Sequence, residues 1–213
     1  MGADLNDLFN ELSGSSEAPR TAFRRILVSP TYLLNRLIGL IDREAEHARA
    51  ERVGRIRAKI NGLADPDIIA ALYRASQAGA DVDLVVRGIC ALRPGVIGLS
   101  ERIRVVSILG RFLEHARIYQ FANAGDPEYY IGSADWRPRN LRRRVEVVTP
   151  VRDAACRRRL DEILDAELAD PLAWDLLPDG SYVRREFAGD APSAQDLFLG
   201  GVSGSLAGGS RPR

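Results

Sequence analysis

Arg55-Ile-Arg-Ala-Lys-Ile60, Asp65-Pro-Asp-Ile-Ile-Ala-Ala-Leu-Tyr73 and Val82-Asp-Leu-Val-Val86 decide the fold, because they read in turn as strand, helix and strand. The first run alternates, with Ile56, Ala58 and Ile60 on one face and Arg55, Arg57 and Lys59 on the other, which predicts a strand with a cationic side. Asp65-Pro66 supplies an N-cap and a first-turn proline, Ile68, Ile69, Leu72 and Tyr73 supply a buried face, and Gly79 supplies the stop. The third run is a strand of the kind buried on both faces. It delivers Arg87-Gly88 at its carboxyl end, where open α/β sheets collect ligands, so Arg87 is a candidate site residue.

Outward from this unit, Arg25-Ile-Leu-Val-Ser-Pro30 reads as a short strand, and Tyr32 to Arg52 as a helix with Leu33, Leu37, Leu40, Ile41 and Ala45 on one stripe. Further strands are predicted at Ile103 to Ile108, Ala116 to Phe121, Glu128 to Gly132 and Arg144 to Val148, then a helix from about Asp153 to Leu168. The fold class is α/β, a mixed sheet flanked by helices. Asp4 to Leu12 is an amphipathic stretch ending at Gly14-Ser-Ser, so residues 1–22 are expected to be a helix tail and linker left from a preceding domain. Residues 23–187 form the main domain. The glycine-rich end, 188–213, is expected to be largely disordered, apart from the Leu197-Phe198-Leu199 patch.

With 213 residues the chain is long enough for one core plus extensions. Its formal net charge of +1 excludes a general affinity for nucleic acid, so any anion site must be local. No segment approaches the roughly 20 apolar residues of a membrane span, and Met1 to Asp7 is not a basic start followed by an apolar stretch, so a cytoplasmic location is expected. Cys90 and Cys156 lie far apart and read as reduced structural thiols. Lys59 is the only lysine, which suggests a position where a compact, strongly hydrated cation is needed.

Chemistry gathers in Gly110-Arg-Phe-Leu-Glu-His-Ala-Arg117 and Tyr129-Tyr-Ile-Gly-Ser-Ala-Asp-Trp136. Read as extended strands, these place His115 beside Arg117 and Ser133 beside Asp135. An imidazole beside a guanidinium suits phosphoryl chemistry: the ring takes or relays the group while the planar cation neutralises oxygens. His47, in an Arg- and Glu-rich helix, reads as a solvated surface residue. Arg142-Arg-Arg144 and Arg157-Arg-Arg159 read as solvated faces, without the aromatic interleaving of a nucleic-acid site, and Trp136 and Tyr129-Tyr130 as sheet core.

Together, Ala58-Lys-Ile-Asn-Gly-Leu-Ala-Asp65, Val85-Val-Arg-Gly-Ile-Cys90, Gly110 to Arg117, Ser133-Ala-Asp-Trp136 and Arg139-Asn-Leu141 resemble the C-terminal part of the larger, phospholipase D-like type of polyphosphate kinase. The resemblance covers roughly Asp4 to Phe198, including Ser193-Ala-Gln195. It implies the second of two phospholipase D-like domains, and reversible transfer of the terminal phosphate of ATP to inorganic polyphosphate. Carried over by position, Arg87 and His115 match residues that contact the nucleotide phosphates, with His115 the catalytic candidate. Lys59, Asn61, Arg117, Ser133, Asp135 and Arg139 fall in the same motifs around the pocket.

In that family the principal phosphohistidine and the metal-contacting arginines belong to the preceding domain, so this chain is expected to supply half of a site. It shows no metal ligands of its own, and Mg2+ would come with ATP. The expected partners are ATP or ADP, polyphosphate, and either the missing N-terminal half or a second copy of the chain. Against the general phospholipase D pattern, Arg117 stands where lysine is usual, and Ala122 where a carboxylate would orient the histidine. Two other readings follow from these departures: a truncated remnant or phosphate-binding module, and a phospholipase D-like phosphodiesterase built as a homodimer around two His115 residues.

Overall fold

The computed structural model describes residues 2–14, 23–186 and 191–207. Along the chain these form α1 (Gly2–Leu12), β1 (Leu27–Ser29), α2 (Leu33–Arg49), β2 (Arg55–Ile60), α3 (Pro66–Gln77), β3 (Asp81–Val86), β4 (Ile103–Ser107), β5 (Ile118–Phe121) and β6 (Glu128–Gly132). There follow α4 (Pro138–Arg142), β7 (Glu146–Val151), α5 (Ala154–Leu168), β8 (Trp174–Leu176), β9 (Tyr182–Arg184) and α6 (Ala194–Ala207). One nine-stranded sheet runs in the order β1-β7-β6-β5-β2-β3-β4-β8-β9. Only β2, β3 and β4 are parallel; the remaining pairs are antiparallel, so the sheet is mixed, as the sequence predicts.

The strand–helix–strand unit forms for the reasons visible in its residues. The Asp65 carboxylate accepts from the N–H groups of Asp67 and Ile68, satisfying two orphan donors at the start of α3. Gly79, at φ +100°, follows the end of the helix in a conformation other residues avoid. Leu33, Leu37, Leu40 and Ile41 of α2 and Ile68 and Leu72 of α3 join Ile56, Ala58, Ile60, Leu84 and Val86 in one core, each fully buried large side chain contributing roughly 1.5–3 kcal/mol. Val85 points the other way, into a smaller cluster with Val106, Ile108, Leu168 and Ala173 beneath α5. That two-sided burial explains the unbroken apolar run of β3.

Several expectations are corrected. β2 has the cationic side the sequence predicts, but two of its three cations are buried. The structure buries Arg57 against Asp161 and Asp165 of α5 and against Gln120, and Lys59 against Glu114 and Glu167. Compactness suits Lys59, but hydration does not describe it: only 3% of the residue is exposed. Gly110 to Arg117 is irregular rather than a strand, because Gln195 occupies both the N–H and the carbonyl of Phe112, groups a ladder would require. β5 begins only at Ile118, and Ser133 and Asp135 lie beyond the end of β6.

His47 is half-buried, with both ring nitrogens shielded from water and from protein partners, rather than solvated. The short hairpin β8–β9 and the single-turn α4 carry too few residues to show a period, and the sequence reading omits them. Within the glycine-rich end, residues 194–207 are helical and Ala194 and Gln195 are buried, which narrows the expectation of disorder; 188–190 and 208–213 lie outside the described residues. α1 packs Leu8 on Ile26 and Val28, and its Asp4 accepts from the N–H groups of Arg25 and Ile26.

Candidate functional site

Strand direction gathers the site. β2 and β3 run parallel and end together, with Ile60 opposite Val86, so Asn61 and Arg87 emerge side by side. β5 is antiparallel to β2 and enters from that same edge, which brings in His115 and Arg117; β6, antiparallel to β5, leaves there and carries Ser133 and Asp135. Close approach at this edge requires Gly88: a Cβ there would lie 2.6 Å from the Asn61 carbonyl oxygen.

The side chains form one continuous set of hydrogen bonds. Arg87 Nε donates to Asn61 Oδ1 at 2.5 Å. Asn61 donates twice to Asp135 Oδ1, from its backbone N–H at 2.7 Å and its Nδ2 at 3.1 Å. Arg117 grips the same carboxylate bidentately, Nε to Oδ1 at 3.1 Å and Nη2 to Oδ2 at 3.0 Å. Its remaining Nη1 donates to the His115 carbonyl at 2.8 Å and lies 3.1 Å from His115 Nδ1. Burial alone would push the Asp135 carboxyl up, but the Arg117 guanidinium and the Asn61 donors more than offset that and hold it below the usual carboxylate range.

The last contact places the imidazole. The same Nη1 lies 3.5 Å from Nε2, so the guanidinium packs against the ring beside both nitrogens and fixes its position without selecting a tautomer. His115 is exposed, so it presents an N–H to whatever occupies the edge. Ala122 lies at the far end of β5, where its N–H bonds the Arg55 carbonyl, and has no bearing on His115; Arg117 and Asp135 orient the ring instead.

The other predicted site residues stand apart from this set. Lys59 lies between Glu167, only 1% exposed, and Glu114, so its charge is already matched by two carboxylates. Burial pushes the Glu167 carboxyl up to about 7 against the pull of Lys59, and its Oε2 has no partner. The Ser133 hydroxyl accepts from the Val147 N–H, closing the β6–β7 ladder. Arg139 is exposed on α4, where its carbonyl accepts from Arg143 and Arg144.

Two supporting residues are missed by the sequence reading. Gln195 donates to Glu114 at 2.8 Å as well as holding Phe112, so the first turn of α6 pins the segment that carries His115. Arg137 lays its stem against Gly62, where a Cβ would meet its Cδ at 2.9 Å. The quoted Ser193-Ala-Gln195 motif was the available signal for the first; nothing local marks the second.

Among the described residues no magnesium ligand set converges at this edge. Asp135 is held by Arg117 and Asn61, and Glu114 and one oxygen of Glu167 by Lys59. Among the described residues no group of three or more His, Cys, Asp or Glu converges. A shallow cleft of about 250 Å³ adjoins the edge, lined by Arg87, Gly88, Ser107, Leu109, Trp174 and Tyr182.

Comparison with known proteins places the chain in a family. The model for the polyphosphate kinase C-terminal domain 2 matches residues 26–195. The chain is 56% identical over 187 residues to a polyphosphate kinase of Thermosynechococcus vestitus, covering 87% of this chain and 25% of the relative. It is 49% identical over 198 residues to that of Streptomyces coelicolor, covering 92% and 26%. A polyphosphate kinase crystal structure from Porphyromonas gingivalis superposes with a TM-score of 0.87 at 38% identity, over 96% of this chain and 31% of that one. The chain thus spans about a quarter of the length of the curated relatives it matches. On this match over most of its length, the chain belongs to the polyphosphate kinase C-terminal domain family.

Proposed function

We propose that this chain supplies the nucleotide-phosphate-contacting half of a site for reversible transfer of the terminal phosphate of ATP to inorganic polyphosphate. One observation carries the reading: Arg87 is held by a neutral amide rather than a carboxylate, and so keeps its charge at an edge where His115 also presents an N–H. A phosphoryl group moves when an incoming phosphate oxygen forms a bond to the terminal phosphorus and the bond to the ADP oxygen breaks. Negative charge then grows on the leaving oxygens, and catalysis depends on positioning and charge stabilisation. Arg87 neutralises those oxygens, and a ring N–H of His115 donates to one of them. Arg117 and Asp135 hold the ring in place, and Asn61 aims Arg87.

The half-site reading draws on the exposed apolar side chains that border this edge. Ile89, Leu109 and Leu113 are more than half exposed, a rim that a second surface would cover. Magnesium would arrive with the nucleotide, and no step is assigned to it on this chain. The free thiols of Cys90 and Cys156 suit the cytoplasm, and among the described residues no helix is long and apolar enough to cross a membrane.

The test is incubation of the purified chain with terminally labelled ATP and polyphosphate, alone and with the remaining domains added in trans. Label appearing on the polymer only with the added half supports the reading. Activity that survives Arg87→Ala and His115→Ala, or an absence of ATP binding by the wild-type chain, overturns it.

A further inference from the structure

A second cationic cleft lies at the opposite edge of the sheet. It has a volume of about 610 Å³ and is lined by Arg24, Arg25, Arg36, Arg152 and Arg157, with Glu128 the only acid among the described residues that line it. It opens beside Glu128–Tyr130 and Pro150–Arg152, the start of β6 and the end of β7, whereas the candidate site lies beyond Gly132 at the other end of β6. At about 3.3 Å per residue, the two are separated by roughly 15 Å along the strand.

Several arginines elsewhere are matched with acids: Arg55 and Arg104 share Asp83, Arg142 takes Asp65 and Asp67, and Arg185 takes Asp175. In this cleft they are not. Glu128 is already engaged by Arg43 at 3.0 Å and by the Tyr130 hydroxyl at 3.2 Å. Among the described residues Arg24, Arg25, Arg36 and Arg152 have no ion-pair partner. Arg157 is fixed from behind: its Nε donates to the Val151 carbonyl at 2.9 Å and its guanidinium lies 5.8 Å from the centre of the Tyr129 ring, which leaves its Nη groups without an acceptor among the described residues.

Five like charges converging in a concavity repel one another unless an anion joins them, and in a protein of net charge +1 they are not a product of general basicity. We propose that this cleft is a second anion site, binding a linear condensed phosphate whose linked groups present contiguous charged oxygens to several guanidiniums at once. A single orthophosphate would engage too few of them, whereas planar forks spread along a cleft match successive oxygens of a chain. The site is independent of the edge that carries His115.

The experiment is calorimetric titration of the chain with sodium tripolyphosphate, orthophosphate, ATP and a single-stranded oligonucleotide of matching charge. Arg87→Ala serves as the background that disables the edge. In that background tripolyphosphate still binds, and adding Arg36→Ala with Arg152→Ala weakens it at least about tenfold and flattens its salt dependence. Arg24→Ala with Arg25→Ala does the same, and both pairs melt as the parent does, since these side chains are exposed and unpaired. Equal affinity in parent and variants overturns the proposal, as does complete loss of binding on Arg87→Ala alone, or an oligonucleotide that binds as tightly as tripolyphosphate. Failure of the edge reading shows separately, as ATP affinity unchanged by Arg87→Ala.

Discussion

Lys59 and Arg87 stand near the ends of neighbouring parallel strands, carry the same charge and fall in motifs that point to phosphate, yet the structure treats them oppositely. Lys59 is sealed between two carboxylates, whereas Arg87 is steadied by the uncharged amide of Asn61. A cation matched by two acids has no field left for a ligand, while one held by an amide is oriented without being neutralised. What sets the two cations apart here is therefore the company each charge keeps, which one strand's sequence does not reveal.

The contrast is broken most severely at Lys59. Lys59→Met leaves the buried Glu167 and the half-buried Glu114 without their cation, and a loss of about 3–5 kcal/mol is expected in urea unfolding at neutral pH. Next comes Asp135→Asn, which strips Arg117 of its charged anchor and should cost about 1.5–3 kcal/mol. Because the Asp135 carboxyl is held below its ordinary value, its stabilisation is present above the unfolded-state pKa near 4 and is lost as pH falls through the folded one. The variant should thus lose less stability than the wild type on acidification.

Glu167 has the opposite sign. Its carboxyl is raised to about 7, so the protonated form is favoured in the fold, and that contribution is complete below the unfolded-state value and fades as pH rises toward 7. Unfolding free energies at pH 5 and 7.5 should differ by about 1–2 kcal/mol more in the wild type than in Glu167→Gln. The smallest effect belongs to Arg159→Ala, which removes an exposed pair with Glu162 and should move the midpoint by no more than about 0.5 kcal/mol.

Much of the fold was legible because its signals are local. The alternation of β2, the Asp65 cap and the apolar run of β3 each lie within one element, and the convergence of Arg87, His115, Arg117 and Asp135 follows from strand direction once the pairing is known. What stayed hidden is long-range. Glu167 reaches Lys59 across 108 positions and Gln195 reaches Phe112 across 83, so neither the burial of the cationic face nor the irregular path of Gly110 to Arg117 leaves a trace in its own segment. The bond from the Val147 N–H to the Ser133 hydroxyl, 14 positions away, is hidden for the same reason.

The central claim is that the edge holding Arg87 and His115 receives phosphate, and the chain's two histidines make it directly measurable. In ring-carbon NMR spectra during titration with ATP, His115 should shift while the shielded ring of His47 stays still, and Arg87→Ala should demand at least about tenfold more ligand with little change in melting temperature. Saturating ATP that leaves the His115 signals unmoved would contradict the account.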